Sequence, residues 1–393
     1  MILFWGGINL FRGISGNILA LGLVSLLTDV SSEMIYPLLP LFVTSVLGAG
    51  PAFLGMLEGA AESTAALLKL ASGIASDGMP RRKPLVLFGY TLSSCARPLI
   101  AAATSPLAVL LIRLADRVGK GVRTSPRDAL IADSVDPSLR GRAYGFHRSM
   151  DHAGALIGPL VATLLLATLV HDLRTLFWLA AIPGIAAVLV IVLFVREPDR
   201  QDHAGAAIRL VTPRGDLRGF LLILLLFTLG NSSDAFLLLR AGTLGVTPAR
   251  IPLLWSFFHL SKMLTATPFG ALSDRLGRRQ LIIAGWLVYA LAYLGFAVAT
   301  SEWQIWALFS FYGLFYGLTE GVEKALLADL APTTERGSAF GWYNCAIGAG
   351  ALPASLLFGF VWQQFSPQAA FGMGAGLALI AALLLGSMVR EKT

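Results

Sequence analysis

The second half of this chain repeats the first at a nearly constant offset. Ala129-Leu130-Ile131-Ala132-Asp133, followed by Arg140-Gly141-Arg142-Ala143-Tyr144-Gly145, returns 196 residues later as Ala325-Leu326-Leu327-Ala328-Asp329 and Arg336-Gly337-Ser338-Ala339-Phe340-Gly341. Gly73, Asp77, Arg81 and Arg82 return as Gly270, Asp274, Arg278 and Arg279 at an offset of 197. Ser31-Ser32-Glu33 has an echo in Ser232-Ser233-Asp234 at an offset of 201. Three echoes in chain order describe two parallel copies of one folding unit, 1–195 and 219–393, joined by a polar linker at 196–218.

What lies between the echoes is apolar. Of the 393 residues 56% are hydrophobic and 13% charged, about half the charged share of a soluble domain, and the mean hydropathy is +0.72. A helix needs about 20 apolar residues to cross the hydrocarbon core of a bilayer. Segments of that kind fall at 17–46, 52–76, 84–104, 106–131, 143–170, 175–195, 219–242, 251–273, 280–300, 303–330, 338–362 and 368–389. The chain therefore predicts an all-α membrane protein of twelve crossings in two pseudo-symmetric six-helix halves. The first segment is too long for one straight crossing, and Pro37 and Pro40 are expected to kink it.

The net charge of +7 does not point to nucleic acid, because the cations sit between apolar segments and form no single stripe or tail. Arg81, Arg82, Lys83, Arg140, Arg142, Arg275, Arg278, Arg279 and Arg336 share one side. Arg196, Arg200, Arg209, Arg214 and Arg218 of the linker and Arg390 and Lys392 of the tail join them. The other side has Arg174 and Arg250. The excess of Lys and Arg on one side puts both termini and the linker in the cytoplasm of a multi-pass protein of the inner (plasma) membrane. Cys95 and Cys345 are expected as free thiols packed as small apolar groups. The N-terminal stretch has no small-residue cleavage signal and runs into the first span, so no removed signal peptide is expected.

The second-copy loop, Gly270-Ala-Leu-Ser-Asp274-Arg275-Leu-Gly277-Arg278-Arg279, resembles the loop between helices 2 and 3 of the major facilitator superfamily, and the resemblance extends over essentially the whole chain. The first copy keeps Gly73, Asp77, Arg81, Arg82 and Lys83, with Gly78 and Pro80 at the arginine and glycine positions. A glycine permits close helix approach, and an aspartate can cap a neighbouring helix or pair with a cation. Contacts of that kind, made in one state and broken in another, suit a gate. Arg117-Val-Gly-Lys120-Gly121 is similar to the family's R-x-x-Q-G motif with lysine in place of glutamine. Gly145, Gly154, Gly158-Pro159 and Ala162-Thr163 resemble the fifth-helix motif that marks drug:proton antiporters, with Ala-Thr in place of the final Gly-Gly. Ala354 and Ser355 take the place of Gly-Pro in the second half, so the motif belongs to the first half alone.

Ionisable side chains inside the spans are expensive to leave in lipid, so they are expected to face a cavity or one another. Asp29 and Glu33 stand one turn apart on helix 1, Glu58 and Glu62 one turn apart on helix 2 with Lys69 beyond, and Arg113, Asp116, Arg117, Lys120, Arg123, Arg127 and Asp128 on helix 4. Asp234 lies on helix 7, and Glu320, Glu323 and Lys324 on helix 10. A carboxyl in low dielectric beside a like charge holds its proton more tightly than in water, which suits a proton carrier. Glu33 is the leading candidate; a static ion-pair network is the alternative, with Asp116 paired to Arg113 or Lys120. His147, Asp151, His152 and His259 could suggest a metal, but no metal-binding spacing accompanies them, and His147 is placed near the membrane surface. No metal, no cofactor and no nucleotide-binding loop is expected.

The resemblance implies a secondary transporter working by alternating access, monomeric, with a small-molecule substrate, protons and the lipid bilayer as partners. Proton-coupled efflux of a small polar or charged solute is the leading expectation, on the fifth-helix motif. Proton-coupled uptake of a charged nutrient or metal chelate is the rival on the same fold. A membrane-embedded enzyme or sensor is disfavoured, since no nucleophile–base pair or hydrolase motif is present.

Overall fold

The computed structural model describes residues 14–39, 42–49, 51–170, 172–198, 212–232, 234–246 and 250–389, with no strand among them. Twelve crossings are traced in order. They are α1 (Gly16–Glu33), α2 (Pro51–Asp77), α3 (Lys83–Ala96), α4 (Pro106–Asp133), α5 (Arg140–Thr168) and α6 (Leu173–Leu179 with Ala181–Phe194). The second set is α7 (Gly215–Gly230 with Ala235–Thr243), α8 (Ile251–Leu276), α9 (Arg278–Val298), α10 (Glu302–Leu330), α11 (Arg336–Gln364) and α12 (Pro367–Met388). Part of the linker with Arg200 and Arg209, the tail with Arg390 and Lys392, and Pro40 and Ser233 lie outside the described residues, as does the side chain of Glu58.

The first crossing differs from the long kinked helix expected at 17–46. Its α-helix ends at Glu33 and gives way to a 3-10 turn at Tyr36–Leu38 and a wide turn at Phe42–Val46. The α-helical ladder cannot continue through Pro37, which has no N–H to donate to the Glu33 carbonyl four residues back, and the tighter 3-10 turn takes over.

Seven of the helical stretches are long and uniformly apolar enough to cross a bilayer by composition alone. Those that are not include α2, α4, α8 and α10, which carry the interior charges, and α7, which is interrupted after Gly230. The outer surface keeps its apolar side chains at helical spacing: Leu107 and Leu111 on α4, Leu160 and Leu164 on α5, and Leu352 and Leu356 on α11 are exposed. Leucine pairs one turn apart on the outside suit lipid as the solvent. Cys95 is also exposed and Cys345 half-buried, so neither is packed away as a core residue; both are free thiols.

The halves meet through α5 against α8 and α2 against α11. Glycines set how closely. A Cβ built on Gly73 would stand 2.2 Å from the Gly337 carbonyl oxygen, and one on Gly270 would stand 2.2 Å from that of Gly141. Gly321 of α10 also packs on Gly145, and a Cβ built on it would stand 2.8 Å from the Gly145 nitrogen.

Helix caps divide the two faces of the bundle. On one face α4 is capped by Ser105, α6 by Asp172 and α12 by Ser366, each side chain accepting from a backbone N–H three residues on. Ser301 and Gln304 form a capping box on α10. On the other face α5 and α11 start without any side-chain cap of their own. Their caps come from the opposite half.

Candidate functional site

Asp77, the last residue of α2, accepts from the backbone N–H groups of Gly337 (2.7 Å) and Ser338 (2.6 Å) at the start of α11. Asp274, near the end of α8, accepts from Gly141 and Arg142, both at 2.9 Å, at the start of α5. A carboxylate at an open helix start satisfies two stranded donors and meets the positive end of the helix dipole. Arg82 ties Asp77 (3.0 Å) to Asp133, which also binds Arg336 of the other half. Arg278 repeats this with Asp274 and Asp329 (3.2 Å), and Asp329 binds Arg140. The result is a pair of crossed latches closing one end of the molecule.

The geometry corrects the register of the loop repeat. Arg82 holds the place of Arg278, not of Arg279, because both clamp the latch aspartates. Lys83 matches Arg279 instead: it donates to Val195 (2.6 Å) at the end of α6 as Arg279 donates to Val389 (2.9 Å) at the end of α12. The first loop is one residue longer. The second makes its tighter turn at Gly277, where φ is +99°, a conformation that an L side chain resists. Arg81 is exposed.

Above the latches is a polar cavity of about 310 Å³ between the halves, lined from α1, α2, α3, α4, α5, α10 and α11. Arg148 and Asp151 lie on its wall, eight to eleven residues into α5, so the cavity is about 12–17 Å from the latched end. That is midway through a hydrocarbon core of about 30 Å. Asp29, Lys69 and Lys120 line it, and none of the three is in an ion pair with a described side chain. Arg127 pairs with Asp128 (2.8 Å), which Lys324 of the other half also binds. Glu320 lines the cavity and meets His152 across the halves at 2.8 Å.

The other acids singled out in the sequence lie around this space. Glu33 is half-buried on α1. The fifth-helix glycines pack against that same stretch: a Cβ on Gly154 would stand 2.8 Å from Asp29 Cβ, and one on Gly158 would stand 2.7 Å from Glu33 Cβ. Pro159 follows inside the unbroken α5. Glu62 is mostly exposed, 3.4 Å from Arg117. Glu323 is buried, accepting from Trp286 (3.2 Å) and Tyr343 (2.8 Å). Asp234 accepts from Tyr312 and Tyr316, both at 3.2 Å. His147 is buried two turns inside α5, not near the surface, and stands 3.7 Å from Asp151. The described residues contain no His, Cys, Asp and Glu group that could hold a metal ion.

Asp116 departs from the expected pairing. Its main partner is Arg97, at 2.8 Å, which also donates to the Thr28 carbonyl (2.9 Å). Tyr36 donates to Asp116 as well, while Arg113 stands 3.7 Å away and lies over the Tyr36 ring. Sequence reasoning passed over Arg97 and Arg148. The signal for Arg97 was a cation followed by proline deep in an apolar segment.

The sequence profile described as Major Facilitator Superfamily matches residues 21–239 and 219–393. An uncharacterized MFS-type transporter of Methanocaldococcus jannaschii is 34% identical over 385 residues, 95% of each chain. The multidrug resistance protein MdtG of Enterobacter lignolyticus is 24% identical over 378 residues, 93% of this chain and 90% of its own. Among solved structures, the proton:xylose symporter XylE bound to 6-bromo-6-deoxy-D-glucose superposes with a TM-score of 0.79 at 16% identity, over 96% of both chains. The repeated halves, the crossed latches and the mid-membrane cavity thus belong to a secondary transporter, not an enzyme, and the chain is a member of the Major Facilitator Superfamily.

Proposed function

We propose that the protein exports a small polar or charged solute from the cytoplasm in exchange for protons. The observation that carries this reading is the packing of α5 on α1. Gly154 and Gly158, the glycines of the antiporter-like motif, lie against the turns that bear Asp29 and Glu33. Movement of the fifth helix is thereby coupled to the two acids best placed to carry a proton. Glu33 is the leading carrier, since it is half-buried and makes no ion pair with a described side chain. The resemblance to multidrug resistance protein MdtG supports export.

The Lys and Arg of the latched face put it and both termini on the cytoplasmic side of the inner membrane, so this conformation is the one closed to the cytoplasm. Release of Asp77 and Asp274 from the starts of α11 and α5 would open it. Gly73, Arg81, Arg82, Gly270, Arg278 and Arg279 act with them as the gate, and the monomer is the working unit.

Everted vesicles with a proton-sensitive dye test the reading. Addition of a transported solute should discharge an imposed inside-acid gradient in wild type but not in Glu33→Gln, which fixes a neutral side chain. Solute exchange without net proton movement should survive in Glu33→Gln. Discharge at the wild-type rate and pH dependence in that variant would sink Glu33 as the carrier, and transport indifferent to the gradient in wild type would sink proton coupling.

A further inference from the structure

The cavity's charges do not balance. Six cationic side chains line it (Lys69, Lys120, Arg123, Arg127, Arg148 and Lys324) against the three carboxylates Asp29, Asp151 and Glu320. Several of these charges are already answered within the protein. Arg127 and Lys324 share Asp128, Arg148 holds Asp151 at 2.8 Å, and Glu320 faces His152. What remains on the cationic side is Lys69, Lys120 and Arg123, none of them within ion-pair distance of a described carboxylate. Arg123 donates to Ser93 (2.7 Å) and lies over the Tyr90 ring, and its buried Nε has no partner. What remains on the other side is Asp29, together with the charge of Glu320 whenever the His152 imidazole is neutral.

Three cations, Arg123 buried and Lys69 and Lys120 half-buried, repel one another across this space, and an uncompensated ion taken out of water is costly. Lys120 is within charge–charge range of Arg117, Lys69 and Arg123, and of one carboxylate, Glu62. Of the carboxylates on the cavity wall only Asp29 has no hydrogen-bond or ion-pair partner of its own among the described residues, while Glu62 and Glu33 reach the lysines from outside the wall. Thr28 adds a buried hydroxyl without a partner at the same wall. The volume of about 310 Å³ is at the small end of ligand pockets.

We infer that the solute carried in this cavity is a small organic or phosphorylated anion, held by Lys69, Lys120 and Arg123 of the first half. The inference rests on the transporter reading but is independent of direction and of proton coupling. Neutral solutes would leave the cations uncompensated, and cationic solutes would add to the repulsion.

Ligand binding to the purified full-length protein in nanodiscs tests this without a gradient. Thermal stabilisation is read at constant ionic strength with succinate, benzoate, glucose 6-phosphate and inorganic phosphate, against glucose and choline. At least one anion should raise Tm saturably in wild type. Its apparent Kd should weaken at least 10-fold in Lys120→Gln and in Lys69→Gln and be largely restored in Lys120→Arg. Unliganded Tm and size-exclusion profiles identify a variant that fails to fold, in which case Lys120→Met and Thr28→Val replace it. Stabilisation by choline or glucose above that by every anion, no stabilisation by any anion, or unchanged Kd in both glutamine variants would overturn the inference. The vesicle assay decides proton coupling separately, so either reading can fail while the other stands.

Discussion

Asp128 and Lys324 occupy equivalent positions in the two halves and bind each other across the interface. A residue beside the pseudo-two-fold axis faces its own counterpart, so identical charges there would repel. Asp128 also accepts from Arg127 at 2.8 and 3.0 Å. Removing a partner from a buried pair costs about 3–5 kcal/mol. Asp128→Asn strands two cations, and Lys324→Met leaves Arg127 in place. The first variant should therefore lose more stability than the second in thermal unfolding of the purified protein, and Lys324→Arg should lose least. Equal losses for Asp128→Asn and Lys324→Met would show that Arg127 contributes nothing.

The latch aspartates predict a shift in state rather than a loss of binding. Replacing a cap by alanine costs about 0.5–2 kcal/mol, or up to roughly 30-fold in the balance between states. Asp77→Ala and Asp274→Ala should each expose the cavity from the latched end, and the double variant more than either. Labelling of a cysteine at Asn344, in a Cys95→Ser/Cys345→Ser background, by an impermeant maleimide from each membrane face would report this. Transport should fall while solute binding persists; wild-type turnover in the double variant would remove the latches from the gate.

Steric wedges should act the same way by another route. No side chain fits between Gly270 and the Gly141 carbonyl, or between Gly73 and that of Gly337. Gly270→Leu should hold the latched end apart. Spin labels at the exposed Arg81 and Thr334 should move further apart, with a single longer-distance population. An unchanged distance would mean that the helices yield locally.

Arg97 and Arg117 should separate structure from function. Arg97 is buried and is the closest cation to the equally buried Asp116. Arg117 meets the mostly exposed Glu62 at 3.4 Å. Arg97→Ala should destabilise the fold by about 3–5 kcal/mol and abolish expression of folded protein. Arg117→Ala should fold with near-wild-type Tm and impair transport. The reverse order in Tm would contradict the assignment.

Much of this architecture was legible because its causes are local or repeated. Apolar runs mark the crossings, and the echo of Asp133 and Arg140 in Asp329 and Arg336 marks the two halves. Whether a span's acid is free or paired was not legible. Asp116 lies beside Arg113 and Arg117 in sequence, yet Arg97 reaches it from another helix, and only packing of α1, α3 and α4 decides that. The one-residue difference between the loops was hidden for a related reason. Identity favours matching Arg81 and Arg82 to Arg278 and Arg279, and only the aspartates they hold show that Arg82 and Lys83 are the counterparts. The fate of α1 was partly visible in Pro37, but where a helix ends ahead of a proline depends on the turns that take over.

Because the latches are crossed, each half carries both an acid at the end of its second helix and an open start on its fifth. Two identical copies of such a unit could close upon one another as a homodimer. In that dimer Asp128 would face Asp128, and the lining would be the same on both walls. Joining the copies in one polypeptide after duplication lifts that constraint. The first half has put most of the arginines and lysines on the cavity wall, while the second has filled its own core with stacked rings such as Phe227 on Trp286, 4.6 Å apart. The tether between the halves thus does more than keep them together: it lets them diverge, so that one half can specialise in charge and the other in rigidity.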